Sequence, residues 1–367
     1  MSGDPKKDEE SWFTPVWETE EELEPPGPFR ARRPAPEPDY DHLLLTPLAL
    51  AQDAVARLEA KVEMASEAVA EGLRARMSYL EAAGWLRHAH FSVHPWDLAL
   101  RDARLTASYG AALHADRLKT ALPATLGREA GLDVAPSVAV RLDINANQAL
   151  RLARLWRELA EIRSWRPVAG LETVRKTLQS LGCRMPEDAE ISDWLAFVDA
   201  LKEKTALIRA GRAARNWMNL AGVEPTDPAG FFLATCLWRE KSARRPIPLP
   251  FWSAPEMHHL RLTRHFGLQW MADYLDTVAA AAIVGLHELE RLRQAEEKGR
   301  LLSTTARSRL PDAMNCVLRA PIVTVNSLAK TLDVTPQAAL GLLRQLMTAG
   351  IVRERTGRAS WRAFALA

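Results

Sequence analysis

Cysteine is scarce in this chain of 367 residues: Cys183, Cys236 and Cys316 are the only three. They are far apart, odd in number and form no C-x-x-C pair, so neither a disulfide framework nor a zinc site is expected, and the pattern suits a reducing compartment. Long apolar runs are missing as well. The longest, Val278 to Leu286, falls far below the roughly 20 residues needed to cross a bilayer. The opening MSGDPKKDEE is polar throughout, which predicts no secretory signal, a cytoplasmic protein and no membrane partner. There is no G-x-x-x-x-G-K-[ST] loop, G-x-G-x-x-G turn or G-x-S-x-G elbow. The commonest readable nucleotide and hydrolase sites are therefore absent, and no catalytic residue or cofactor is predicted.

Net charge is nearly absent at +2, but it averages two regions of opposite sign. Residues 1–40 carry eleven acidic side chains against five basic, −6, so the remainder carries about +8. An excess of that sign over the folded part suits a polyanionic partner. The acidic stretch also holds Pro5, Pro15, Pro25, Pro26, Pro28, Pro34, Pro36 and Pro38. Each removes an amide donor and fixes φ, so residues 1–44 read as a disordered acidic tail with Trp12, Phe13, Trp17 and Phe29 scattered in it.

What is present from Leu45 onward is helical spacing. Leu48, Ala51, Ala54, Val55, Leu58 and Val62 recur at three and four, and Val69 to Leu86 repeats the pattern. Further helices are expected over 146–162, 171–181, 188–220, 228–238 and 255–292, between Gly and Pro punctuation. Strand alternation is nearly absent before residue 320. The fold class is therefore mainly α: a helical domain over 45–295, a polar connector over 296–309, and a distinct unit over 310–367. Tryptophan is abundant, twelve in all, and Trp156, Trp165, Trp194, Trp217, Trp238, Trp252 and Trp270 fall beside leucines in helical stretches, as core aromatics do.

The last unit parses element by element. Pro311 and Asp312 suit a first helical turn, which opens a helix through Leu318. Pro321 stops it, Ile322 to Val325 is short and β-branched, and Asn326 is expected to cap a second helix carrying Leu328, Ala329 and Leu332. Asp333 and Val334 make the turn. Thr335 as N-cap and Pro336 as first helical residue begin a third helix with Ala339, Leu342, Leu343 and Leu346 inward, and Gly350 ends it. Ile351–Glu354 and Trp361–Leu366 flank a glycine-containing turn, as two strands of a hairpin do. Three helices followed by a hairpin make a winged helix-turn-helix, in which the third helix lies in the major groove of double-stranded DNA. Its outward positions are Gln337, Gly341, Arg344 and Gln345. From Asp312 onward seven basic residues face three acidic, +4, and Arg355, Arg358 and Arg362 are placed to meet the phosphate backbone. The expected DNA-contacting set is thus Thr335 as cap, Gln337, Arg344 and Gln345 toward the groove, and Arg355, Arg358 and Arg362 on the wing.

The stretch SRLPDAMNCVLRAPIVTVNSLAKTLDVTPQAALGLLRQLMTAGIVRERTGRASWRAFAL resembles the C-terminal half of an uncharacterised bacterial family, often plasmid-borne, that joins a helical domain of unknown function to a helix-turn-helix DNA-binding domain. The resemblance is best over residues 305–367 and looser upstream, through DPAGFFLATCLWREKSARRPIPLPFWSAPEMHHLRLTRHF. The same segment is also similar to the winged helix that follows the catalytic domain of many Fic-type adenylyltransferases. Those enzymes need H-x-F-x-[DE]-G-N-G-R, and this chain has no G-N-G; His265-Phe266-Gly267-Leu268 is the nearest fragment.

Other candidates are weaker. His88, His90 and His94 with Asp97 and Asp102 are the densest metal-like cluster, but Pro95 breaks a helix through His90 and His94, so no metal site is expected. His258 and His259 point apart on a helix. Arg239, Lys241, Arg244 and Arg245 read as a solvated basic loop. The reading is a DNA-binding protein, a transcriptional regulator, whose helical domain supplies dimerisation or senses a small-molecule effector. The alternatives are a degenerate Fic-like or other enzyme scaffold with an accessory winged helix, or a winged helix used for protein contact.

Overall fold

Apolar residues at three- and four-residue spacing form helices because that spacing puts them on one face. Twelve α-helices and three short strands result among the described residues. The computed structural model describes residues 44–88, 91, 93–103, 136–161, 166–202, 205–221, 223–224, 227–239, 247–254, 267–302, 308–355 and 362–367, with the side chains of 136–145 left aside. The tail as far as residue 43 lies outside this set, as do Arg358, His90, Trp165, Lys241, Arg244, Arg245, His258, His259, His265 and Phe266. No helix among the described residues is long and apolar enough to cross a membrane.

The helical part comprises α1 (Leu45–Glu63), α2 (Glu67–His88), α3 (Pro95–Asp102), α4 (Pro136–Glu161), α5 (Leu171–Leu181), α6 (Asp188–Ala200), α7 (Ala206–Trp217), α8 (Ala229–Arg239), a 3₁₀ turn (Phe251–Ser253) and α9 (Leu268–Arg300). Helix α1 buries Leu48, Ala51, Val55, Leu58 and Val62 and lies along α9. With 33 residues, α9 is about 50 Å long and acts as the spine. Its first half enters an aromatic core in which Phe231 and Phe251 stack with ring centres 5.5 Å apart and Trp270 stacks on Tyr274 at 5.7 Å. Such pairs add about 0.5–1.5 kcal/mol each beyond their buried area. Trp156, Trp194, Trp217, Trp252 and Trp270 are fully buried, while Trp238 is half-buried.

The sequence predicts one helix over 188–220, and the chain breaks it. Leu201 is extended (φ −64°, ψ 124°), and the Arg209 guanidinium donates to the Val198 carbonyl at the end of α6. The reversal brings Trp194 edge-on to Trp217 at 5.0 Å, burial that a straight helix would forgo. The polar segment from Glu296 is helical as far as Arg300. Glu296 and Arg300 pair one turn apart at 3.3 Å, and Gly299 lies against Met314 of the next helix. Pro95 opens α3, where it terminates a helix in the sequence reading; His94 is the N-cap, its Nδ1 accepting the Trp96 N–H at 3.2 Å.

The C-terminal part runs α10 (Leu310–Arg319), β1 (Val323–Thr324), α11 (Val325–Leu332), α12 (Pro336–Thr348), β2 (Val352–Glu354) and β3 (Ala363–Leu366). The strands form an antiparallel sheet in the order β1-β3-β2, with Val323 opposite Phe364 and Val352 opposite Leu366. This is a winged helix-turn-helix. One cap differs from expectation. Asn326 is inside α11, and the N-cap is Thr324, whose Oγ1 accepts the Ser327 N–H at 3.0 Å while Ser327 Oγ accepts the Thr324 N–H at 2.9 Å. That reciprocal pair satisfies two end donors together, which a lone Asn326 would not.

The two parts are joined by more than the chain, and residues Asp39–Ala367 form one compact unit. The buried Arg76 of α2 donates to the carbonyl oxygens of Val317 (3.0 Å), Leu318 (2.6 Å) and Ala320 (2.9 Å). It thereby satisfies acceptors that every helix end leaves open. Gly72, one turn earlier, permits this approach, since a Cβ there would stand 1.9 Å from the Leu318 oxygen.

Candidate nucleic-acid interface

The winged unit is held by a core of Leu310, Val317, Leu318, Leu328, Leu343, Leu346 and Phe364, all nearly inaccessible. Each large side chain so buried contributes about 1.5–3 kcal/mol of gross stabilisation. Helix α12 puts Ala339, Leu343 and Leu346 into that core; Leu342, expected inward, is only half-buried. Thr335 caps α12, its Oγ1 accepting the Ala338 N–H at 3.2 Å. Asp333, in the turn before it, takes a left-handed conformation (φ 51°), which Asp tolerates better than most residues. Gly350 closes α12 at φ 68°, as a left-handed C-terminal glycine does.

The opposite face of α12 is open. Gln337, Arg344 and Gln345 are exposed, and no atom lies within 4 Å of a Cβ built on Gly341. These four positions recur at the spacing of one helical face. Among the described residues, the side chains of Gln337, Arg344 and Gln345 have no hydrogen-bond or ion-pair partner. Their donors and acceptors are therefore available to a ligand along the helix.

Among the described residues, the other cations of the winged unit divide into engaged and unengaged. Arg319 pairs with Glu71 of α2 at 3.0 Å, Arg309 with Asp312 at 2.9 Å, and Arg362 lies 4.0 Å from Glu354. Arg355 is committed elsewhere: its guanidinium sits 3.7 Å from the centre of the Trp96 ring and donates to the Leu366 carbonyl at 3.2 Å. Burial, followed by the neighbouring Arg353 and Arg291, lowers its pKa. Lys330 and Arg353, by contrast, are exposed and pair with nothing among the described residues. Neither residue belongs to the set expected from the sequence. The signal for Arg353 was there in the alternation along β2, where Val352 is buried and Arg353 turns out.

Of the clustered histidines, His88 and His94 are among the described residues. His88 Nε2 lies 3.0 Å from the Trp252 carbonyl oxygen and His94 is a helix cap. Among the described residues no group of three or more His, Cys, Asp or Glu is placed to hold a metal ion.

Fold and exposed face define a C-terminal helix-turn-helix DNA-binding domain that follows a helical region. Sequence comparison agrees: residues 310–366 match the family described as "HTH DNA binding domain". The chain is also similar to the uncharacterized protein y4cF of Sinorhizobium fredii, 29% identical over 185 residues, or 48% of this chain. The aligned region spans about half of that relative's length, 47%.

Proposed function

We propose that this is a cytoplasmic transcriptional regulator that lays α12 in the major groove of double-stranded DNA. Gln337, Arg344 and Gln345 face base edges, Thr335 holds the start of the helix, and Lys330, Arg353, Arg358 and Arg362 meet phosphates. Arg355 serves the wing by holding it against Trp96 and contributes less to the phosphate contacts. The observation that carries this reading is the uncovered, unpartnered face of α12 opposite its buried one. Arg is suited to guanine and Gln to adenine in that groove. Ala338 and Gly341 bring no hydrogen-bonding side chain, so sequence discrimination rests on three residues.

The protein acts as a homodimer, because two half-sites spaced one DNA turn apart, about 34 Å, multiply affinity and specificity for modules of this size. Sedimentation with and without a palindromic duplex measures that. DNA binding itself is tested by fluorescence anisotropy across a salt series, comparing wild type with an Arg344→Ala, Arg353→Ala double variant of unchanged circular dichroism. Losing the Arg353 phosphate contact flattens the slope of log K against log salt by about 0.9, and losing both residues weakens binding. Equal binding and equal slopes in both proteins would remove α12 from the interface and favour a winged helix used for protein contact.

A further inference from the structure

Where the two parts meet there is a cavity of about 560 Å³, within the range of about 300–1,000 Å³ that small-molecule sites occupy. Its polar lining is Arg76, Arg87, Arg291, Glu288 and His94, and its aromatic lining is Tyr79 and Trp96. One carboxylate among three guanidiniums leaves two positive charges in excess. Glu288 is already shared, lying 2.7 Å from Arg291 and 3.5 Å from Arg76. Burial lowers Arg76 to about 10, with Arg291 adding to the lowering against the opposing pull of Glu288. Arg87 is exposed and forms no ion pair among the described residues. Between these charges the walls are apolar: Leu80, Val93, Pro95 and Pro321.

We propose that this cavity is an effector site for a small organic carboxylate with a flat apolar body. Arg87 takes the carboxylate in the charge-assisted geometry that guanidinium favours; Arg291, whose Nε and Nη2 are both held by Glu288, adds positive charge beside it. The body lies between the aliphatic wall and the rings of Tyr79 and Trp96. The cavity's lining comes from both parts: α2, α3 and α9 from the helical side and Pro321, just past α10, from the winged side. Its floor, Arg76, holds the end of α10. Its wall, Trp96, carries Arg355 from the wing on its ring. Arg291 also reaches the Ala367 oxygen, at 3.5 Å beside the sheet. An occupant therefore touches the groups that set the position of the winged unit, and by linkage its binding and DNA binding change each other by the same factor. That regulatory consequence rests on the proposed DNA-binding function; occupancy of the cavity does not.

The test is isothermal titration of the full chain, without DNA, using benzoate, its neutral isostere benzamide, and inorganic phosphate. Wild type is compared with Arg87→Gln and with Arg293→Gln, an exposed neighbour of Arg291 outside the cavity. Expected are saturable binding of benzoate, weakening by about tenfold or more in Arg87→Gln, no change in Arg293→Gln, and no saturable binding of benzamide. Because Arg87 is a surface side chain, its variant keeps the fold, which circular dichroism checks. Absent benzoate binding, equal affinity in Arg87→Gln, or phosphate or benzamide binding as well as benzoate would each overturn the proposal. A second arm repeats DNA anisotropy with benzoate present. A ligand that binds with the expected Arg87 dependence while no DNA is bound at all would reject the DNA-binding reading and leave the site standing.

Discussion

The guanidinium of Arg76 lies 2.6 Å from the carbonyl oxygen of Leu318, so a side chain of the helical part closes the end of the first helix of the winged part. A module joined only by a linker would cap that end by itself. Here three carbonyls of α10 and its following turn depend on one residue more than 200 positions away.

Arg76→Met keeps the length and removes every donor. It leaves three carbonyl acceptors without their donor and Glu288 with Arg291 alone, a loss of about 1–3 kcal/mol for each buried group left unsatisfied. Urea denaturation followed by circular dichroism measures it. A loss under about 1 kcal/mol would mean that water replaces the guanidinium and that the junction is not held there. Gly72→Ala attacks the same junction sterically, with the added methyl directed at the Leu318 oxygen, and is expected to cost about 1–3 kcal/mol.

Gly341 separates stability from recognition. Its Cβ position is open, so Gly341→Ala is expected to stabilise α12 by about 0.5–1 kcal/mol. Gly341→Glu is expected to keep the fold and to weaken DNA binding, since it adds a carboxylate to the face presented to phosphates. Thermal melts and anisotropy on the same preparations resolve the two. DNA affinity unchanged by the glutamate would take that face out of the interface.

The Arg355–Trp96 stack predicts a coupling of about 0.5–2 kcal/mol in a double-mutant cycle of Arg355→Ala and Trp96→Ala. It also predicts that Arg355→Ala flattens the salt slope of DNA binding less than Arg353→Ala does. An equal flattening would return Arg355 to the phosphate-contacting set.

Stability should depend on pH through Asp227. Burial is the largest cause that raises this carboxyl to about 6, opposed by hydrogen bonds from the Ala229 N–H and the Cys183 thiol. The folded value exceeds the unfolded one, about 3.9, so the fold prefers the protonated group. Stability is therefore greatest below about pH 4 for this group and falls as pH rises through about 6. In Asp227→Asn, which keeps the oxygen that accepts from Ala229, that fall disappears. The difference between wild-type and variant melting temperatures across pH 4 to 7, within the approximate titration range, isolates it from Glu81. The Glu81 carboxyl is also raised, by burial at α2, and accepts the Trp252 N–H.

The sequence by itself determined the elements of the winged unit, because each carries a local signal. Pro311 opens a helix, Thr335 and Pro336 open another, Gly350 closes it, and the alternation around Val352 marks a strand. It also determined which face of α12 is left outward, since helical spacing alone separates Gln337, Arg344 and Gln345 from Ala339, Leu343 and Leu346. The cap at Thr324 in place of Asn326 and the break after Ala200 lay at the limit of local reading. The first depends on a reciprocal pair and the second on Trp194 meeting Trp217. Tertiary structure alone decided that Arg355 turns to Trp96, that Arg76 closes α10, and that Arg87 and Arg291 border one cavity. Those contacts join residues distant in the chain, and a guanidinium carries no local mark of whether its partner is a carbonyl, a ring, a carboxylate or a phosphate. That choice is made by whatever packing brings within reach.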